Sequence, residues 1–169
     1  MNIRPAVLSD VPFLADVKAR YVRALYRGYF AADYLKRLDA SVYLQQLTDW
    51  IRSDSFSVAL LEGQDGIVGF IVYGSDEEDP GHGLIRDVAL LPSGSSIDCQ
   101  QLIHSGMDCL ANAFDDIHLW VMRDNFRMRF HFEQAGFRAD GQERLEHIHD
   151  PWLSDLPALP VRRYSYRIR

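Results

Sequence analysis

Two short apolar runs joined by a four-residue turn set the strongest limit on what this chain can fold into. Residues 56–61 and 67–73 are rich in β-branched, aromatic and aliphatic side chains, and Gly63-Gln64-Asp65-Gly66 between them supplies turn chemistry. The pair predicts a β-hairpin. Beyond it, single strands alternate with helices, which is crossover connectivity. The sheet that receives the hairpin must therefore be mixed.

Residues 84–91 read as an apolar strand, interrupted by Arg86 and Asp87 and closed by Pro92. A helix begins near Ser95 or Ser96 and carries Ile97, Leu102, Met107, Leu110 and Phe114, with Ser95 and Asp98 at the spacing of a capping box. Residues 117–122 form the next strand. Asp124-Asn125 caps a helix that runs to Gln134 and is ended by Gly136 before Phe137, and residues 161–168 are the last strand. At the other end, residues 2–7 are extended, and Ser9 or Asp10 caps a helix with Pro12 in its first turn. Its apolar positions Phe13, Leu14, Val17, Tyr21 and Leu25 recur at helical spacing up to Gly28, and a second helical region spans 31–51. The order β, α, α, β, β, β, α, β, α, β predicts the α/β (α+β) class, a mixed central β-sheet flanked by helices on both faces. The 169 residues suit one domain, 1–169.

A net charge of −6 without a Lys/Arg cluster argues against nucleic acid as a partner. The basic residues Arg162, Arg163 and Arg167 alternate with Tyr164 and Tyr166, which reads as a half-buried strand rather than a phosphate-tracking patch. The start lacks a basic segment followed by an apolar one, and no eighteen apolar residues run together. A cytoplasmic protein with no membrane partner is expected. Cys99 and Cys109 fall on one helix, about 15 Å apart, and are expected to be free thiols.

Residues 119–137 run strand, Asn125, helix, Phe132-Glu133, then Gly136-Phe137. This resembles the carboxyl-terminal motif of the GNAT family of acyl-CoA N-acetyltransferases, which has strand, Asn, helix, a Tyr-Glu pair and Gly-Phe. Ile3-Arg4-Pro5-Ala6 with Asp10 and Pro12, the run 67–71, and Leu90-Leu91-Pro92 are similar to other family segments, so the resemblance covers nearly the whole chain. It implies the GNAT fold, acetyl-CoA as co-substrate, and direct transfer of an acetyl group to a primary amine on a small molecule or peptide. A homodimer is compatible with it.

The resemblance also assigns positions, several of which depart from the family pattern. The family holds the CoA pyrophosphate on main-chain donors of an Arg/Gln-x-x-Gly-x-Gly/Ala loop at a helix start. Here Ser96 and Asp98 stand at the glycines, and Ser95 lies in the same loop as a further candidate cofactor contact. A carboxylate in the first turn occupies those donors and repels a pyrophosphate, which predicts weak or lost acetyl-CoA binding. The family's acid, a Tyr on the last helix, is Phe132, which has no proton to give. The family's fourth-strand Glu is Leu84, and either His82 or Asp87 could stand in for it. Against that, a loop His is ordinarily solvated, and Asp87 is ordinarily an ion-pair partner for Arg86 or Arg123. Asn125 matches the family Asn, and the backbone of Val88, Ala89 and Leu90 matches the segment that bonds the pantetheine arm, a role open to any side chain. On the acceptor side, Tyr26, Tyr29 and Phe30 cluster between the first two helices, with Glu77, Glu78 or Asp79 to attract an amine. These departures sustain the alternative of a degenerate GNAT-fold binding or assembly module without acetyl-CoA turnover.

Overall fold

The structure is a computed structural model that describes residues 1–147 and 158–168. The hairpin forms as its residues demand. Strand β2, Phe56–Gly63, pairs antiparallel with β3, Gly66–Ser75, with Leu60 opposite Phe70 and Val58 opposite Val72. Gly66 takes φ +123°, a conformation that closes the turn without a Cβ penalty. Alternate residues then face opposite sides, and both sides are covered. Leu60, Phe70 and Val72 pack with Leu14 and Val17 of helix α1 (Val11–Leu25) and Leu47 of α3 (Leu44–Arg52). Leu61 and Ile71 pack with Leu102, Ile103 and Met107 of α4 (Ser96–Leu110).

Five more strands complete one sheet: β1 Asn2–Pro5, β4 Gly83–Leu90, β5 Asp116–Met122, β6 Arg138–Glu146 and β7 Leu159–Arg167. The order is β1-β2-β3-β4-β5-β7-β6, and only the β4–β5 pair is parallel. A mixed sheet with helices on both faces is therefore the observed architecture. Helix α5, Phe126–Gln134, follows β5 and ends at Gly136, whose φ of +101° suits only glycine. Among the described residues no helix is long and apolar enough to cross a membrane.

Four expectations are corrected. The second helical region is broken into α2 (Ala32–Leu35), a 3-10 turn (Ala40–Tyr43) and α3, because Asp39 caps the turn by accepting from the Ser41 amide at 2.9 Å while Leu38 dives into the core. Asp10 does not cap α1 with its side chain. Its carboxylate accepts from the Val7 amide at 2.8 Å and from both terminal nitrogens of Arg4, tying β1 to the helix start. Phe13 and Ile97, which share the helical spacing of the apolar faces, are exposed. Strand β6 was not expected at all. It is a polar edge strand held by Arg162–Glu143 and Arg163–Asp140 pairs rather than by an apolar face.

Candidate active-site cleft

Strands β4 and β5 are paired only over Gly83–Ile117, Leu84–His118 and Ile85–Leu119. From Arg86 onward the β4 edge that faces β5 has no strand partner among the described residues, and the two strands part. A cavity of about 380 Å³ opens there. Its walls are the diverging strands, the inner face of α1 and the first turn of α5.

Helical spacing brings α1 to this site. Lys18, Tyr21, Val22 and Leu25 are at i, i+3, i+4 and i+7, so they share one face, and all four line the cavity. Lys18 Nζ lies 2.6 Å from Asp87 Oδ2, with both side chains about one-seventh exposed (15% and 14%). Its ammonium also sits 5.9 Å from the Tyr21 ring centroid. Asp87 was expected to pair with Arg86 or Arg123. Instead Arg86 stacks over Phe56, and Arg123 contacts Asp124.

Asn125 performs two tasks. Its side-chain oxygen accepts from the Met128 amide at 3.2 Å, capping α5, and this fixes its amide nitrogen to donate to the Tyr21 hydroxyl at 3.3 Å. The Tyr21 oxygen is thus an acceptor from Asn125, and its own proton has no acceptor among the described residues. Burial pushes the Tyr21 phenol well above its ordinary value; the Asn125 hydrogen bond opposes this, and the Asp87 carboxylate adds to it. The phenol is therefore protonated at neutral pH, as a proton donor must be. Sequence reasoning treated Tyr21 as core and passed over Lys18. The available signal was a Lys three residues before a Tyr on an otherwise apolar helix face.

The expected site residues separate into three groups. Asp87, Val88, Asn125, Phe132 and Tyr26 line the cavity, and so does Leu84, at the position where the resemblance expected a Glu. Ala89 and Leu90 are buried in the two opposite cores, so only their backbone is available on the open strand edge. Ser95 and Ser96 lie at the start of α4, outside the cavity lining. Tyr29 is exposed and Phe30 packs between Tyr26 and Tyr34, ring centroids 5.3 and 5.0 Å apart, so neither lines the cavity. His82 is also outside it, stacked on His118. Of the acidic loop, Glu77 and Glu78 line the cavity, but Glu78 is ion-paired with Arg144. Asp76 lines it too and is buried, its carboxylate accepting from the amides of Glu78 and Asp79 in the loop's own turn.

At the start of α4 the capping box is closed. Ser95 N–H donates to Asp98 Oδ2 at 2.7 Å, and Asp98 N–H donates to Ser95 Oγ at 3.2 Å. Asp98 is 5% exposed, so its charge sits inside the turn rather than in solvent. Two amides that could meet an anion are already bonded, one to a carboxylate and one to a hydroxyl. Gly94 precedes them, fixed by Arg127, which donates to its carbonyl at 3.1 Å. The open β4 edge fits an amide-bearing arm, whereas the α4 start, with the Asp98 carboxylate on its donors, does not fit a pyrophosphate.

No protein-family model matches the chain, and no curated protein sequence matches it either. Solved structures do. It is similar to the PaiA N-acetyltransferase from Thermoplasma acidophilum, solved in complex with coenzyme A, at 13% identity and a TM-score of 0.69, covering 98% of each chain. It is similar to the ribosomal-protein-alanine N-acetyltransferase from Brucella melitensis at 19% identity and 0.69, covering 99% of each. An acetyltransferase of the GNAT family from Streptococcus pneumoniae matches at 14% identity and 0.66, covering 99% of each. At these identities the likeness is one of fold.

Proposed function

We propose, from a chain that has the GNAT fold, an N-acetyltransferase that moves an acetyl group from acetyl-CoA directly to a primary amine, using the β4–β5 cleft. The observation that carries this reading is the parted strand edge opening onto a cavity that holds Asp87 and the Tyr21 hydroxyl. Unpaired main-chain groups of residues 86–90 suit the amides of a pantetheine arm, and the parting leaves room for the thioester between the strands. Asp87, held by Lys18, attracts the amine and takes the proton that its nitrogen must lose. The amine nitrogen bonds to the thioester carbonyl carbon, the C–S bond breaks with its electron pair on sulfur, and Tyr21 gives its proton to that sulfur. The phenol is then reprotonated from Asp87 or solvent. Phe132 contributes an apolar wall and no proton.

Release of CoA thiol, measured over a panel of primary amines, tests this. Tyr21→Phe keeps the ring and removes the acid, and is expected to lower kcat by roughly 10²–10⁴-fold while leaving acetyl-CoA affinity in place. Failure of the wild-type protein to bind acetyl-CoA in calorimetry sinks the proposal. A second reading, a binding module without turnover, is favoured by the Asp98 carboxylate on the α4 donors. It requires that no amine elicits CoA release.

A further inference from the structure

The loop between β3 and β4 and the start of β5 bring two carboxylates and two imidazoles together beside the cavity, and of these four only Asp76 belongs to its lining. Asp76 Oδ1 accepts from the amides of Glu78 and Asp79 at 3.0 and 3.3 Å, and Asp76 N–H donates to the His82 carbonyl at 2.9 Å. That fold of the loop carries Asp79 and His82 back over the sheet. The His82 ring stacks on His118, with centroids 4.4 Å apart and planes 16° apart. One donor atom each from Asp79, His82 and His118 lies within 4.8 Å of the other two.

The cluster is only partly closed by its own hydrogen bonds: His82 Nδ1 lies 3.2 Å from the Asp79 carbonyl, a contact that ligation would exchange for the metal, whereas His118 is left open. His118 is 5% exposed, and its Nδ1 is buried with no hydrogen-bond partner among the described residues. The nearest acceptors, Asp76 Oδ2 and Asp79 Oδ2, stand at 3.6 and 3.7 Å, beyond hydrogen-bond length. An orphaned buried nitrogen aimed at two carboxylates is costly unless something else fills the gap. Charge points the same way. Arg163 reaches Asp79 only at 3.8 Å and is already bound to Asp140 at 2.6 Å. Asp76 has no other cationic partner among the described residues. A buried carboxylate in that position calls for a cation.

We propose that Asp79, His82 and His118 ligate a divalent transition-metal ion, with zinc the best match, and that Asp76 is the buried carboxylate beside it. Two imidazole nitrogens and a carboxylate oxygen are the donors zinc takes, whereas calcium and magnesium prefer oxygen alone. Metal bonds of about 2.0–2.1 Å in a tetrahedral shell set donor atoms roughly 3.3–3.4 Å apart. Asp79 Oδ1 to His82 Nδ1 is 3.2 Å, and Asp79 Oδ2 to His118 Nδ1 is 3.7 Å. Stacked parallel rings cannot aim both lone pairs at one ion, so binding tilts His82. Its side chain is 30% exposed on a loop and has the room to swing. Because His118 is opposite Leu84, the ion pins the β3–β4 loop to the last paired rungs before β4 and β5 part. It thereby braces the cavity wall that Asp76, Glu77 and Glu78 form.

Titration of the full chain with zinc chloride alone tests the proposal by calorimetry and thermal unfolding. One saturable site is expected, with Tm rising by roughly 5–10 °C at free zinc about a hundredfold above Kd. His82→Ala, on the loop, is expected to weaken binding at least about a hundredfold, and Asp76→Asn by about 10–100-fold. His104→Ala, on the exposed face of α4, leaves binding unchanged. Cobalt gives the strong visible bands of a four-coordinate ion in the wild type and loses them in His82→Ala. Absence of saturable zinc binding, or undiminished binding in both His82→Ala and Asp79→Asn, overturns the site. These two variants change loop residues, so the outcome does not depend on whether a His118 variant folds. None of these readouts requires acetyltransferase activity.

Discussion

Replacing Asp98 by Asn tests whether an internal carboxylate stands where a cofactor phosphate would go. Asp98 Oδ2 takes the Ser95 amide at 2.7 Å, and Ser95 Oγ takes the Asp98 amide, so two donors at the start of α4 are already used. A phosphate drawn to the neighbouring amides of Ser96 and Ile97 would sit about 5 Å from that charge. At an effective dielectric near 20, one like-charge pair at that distance costs roughly 3 kcal/mol, a factor of about a hundred in affinity. Asp98→Asn removes the charge and keeps the shape. It also forfeits the interaction of the carboxylate with the helix dipole, about 0.3–1 kcal/mol, so Tm is expected to fall by a few degrees while acetyl-CoA binds more tightly. Asp98→Gly opens the backbone as well, at a further cost of about 1 kcal/mol in the first turn.

Calorimetry separates the two contributions. If electrostatics dominate, Asn recovers most of the gain and the gain shrinks as salt is added; if backbone access dominates, only Gly helps. Pantetheine, which carries no pyrophosphate, provides the control, and its affinity is expected to be the same in all three proteins. Low-micromolar acetyl-CoA binding by the wild type, unimproved by either change, would refute the reasoning and locate the phosphates elsewhere.

Lys18→Met leaves the Asp87 carboxylate largely buried and unpaired, so urea denaturation should show a loss of about 3 kcal/mol, much of it regained in the double variant Lys18→Met/Asp87→Leu; additive losses would show that the pair is not coupled. Hydrogen bonds from Arg4 hold the Asp10 carboxyl below its ordinary range, so its contribution is present above the unfolded value of about 3.9 and is lost as pH falls through the folded value. Asp10→Asn is therefore expected to be less stable than wild type at pH 7, with the difference closing below about pH 4; a gap independent of pH would contradict the assignment. Burial pushes the Cys99 thiol up to about 11, while Cys109 is exposed, so thiol titration should find one fast cysteine in the native protein and two after unfolding.

What could be read from the sequence was what depends on near neighbours. The 56–73 hairpin, the Ser95–Asp98 box and the Asn125 cap are each fixed by residues within a few positions of one another, and each is found. Strand β6 escaped because edge strands need no apolar alternation. Residues 138–146 are almost wholly exposed, with Gly141 at φ +89°, and their partners Arg162 and Arg163 lie about twenty positions away. Asp76 escaped for a related reason. Within the run 75–81 it looks like any solvated carboxylate, and only the folded chain sets it beside His118, forty-two positions on.

The cleft marks the same boundary. Periodicity says that Lys18 and Tyr21 share a face of α1, but not that Asp87 of β4 and Asn125 at the start of α5 stand opposite them. Taken along the sequence, Phe132 is the loss of a proton donor, because the family pattern places that donor on the last helix. In the folded chain a phenol enters the same cavity from the first helix, anchored by the Asn that the pattern does retain. A general acid is defined by where its proton can reach and not by which element carries it. Absence of a motif residue therefore removes a position from the site, and whether it removes the chemistry depends on side chains brought there from elsewhere in the chain.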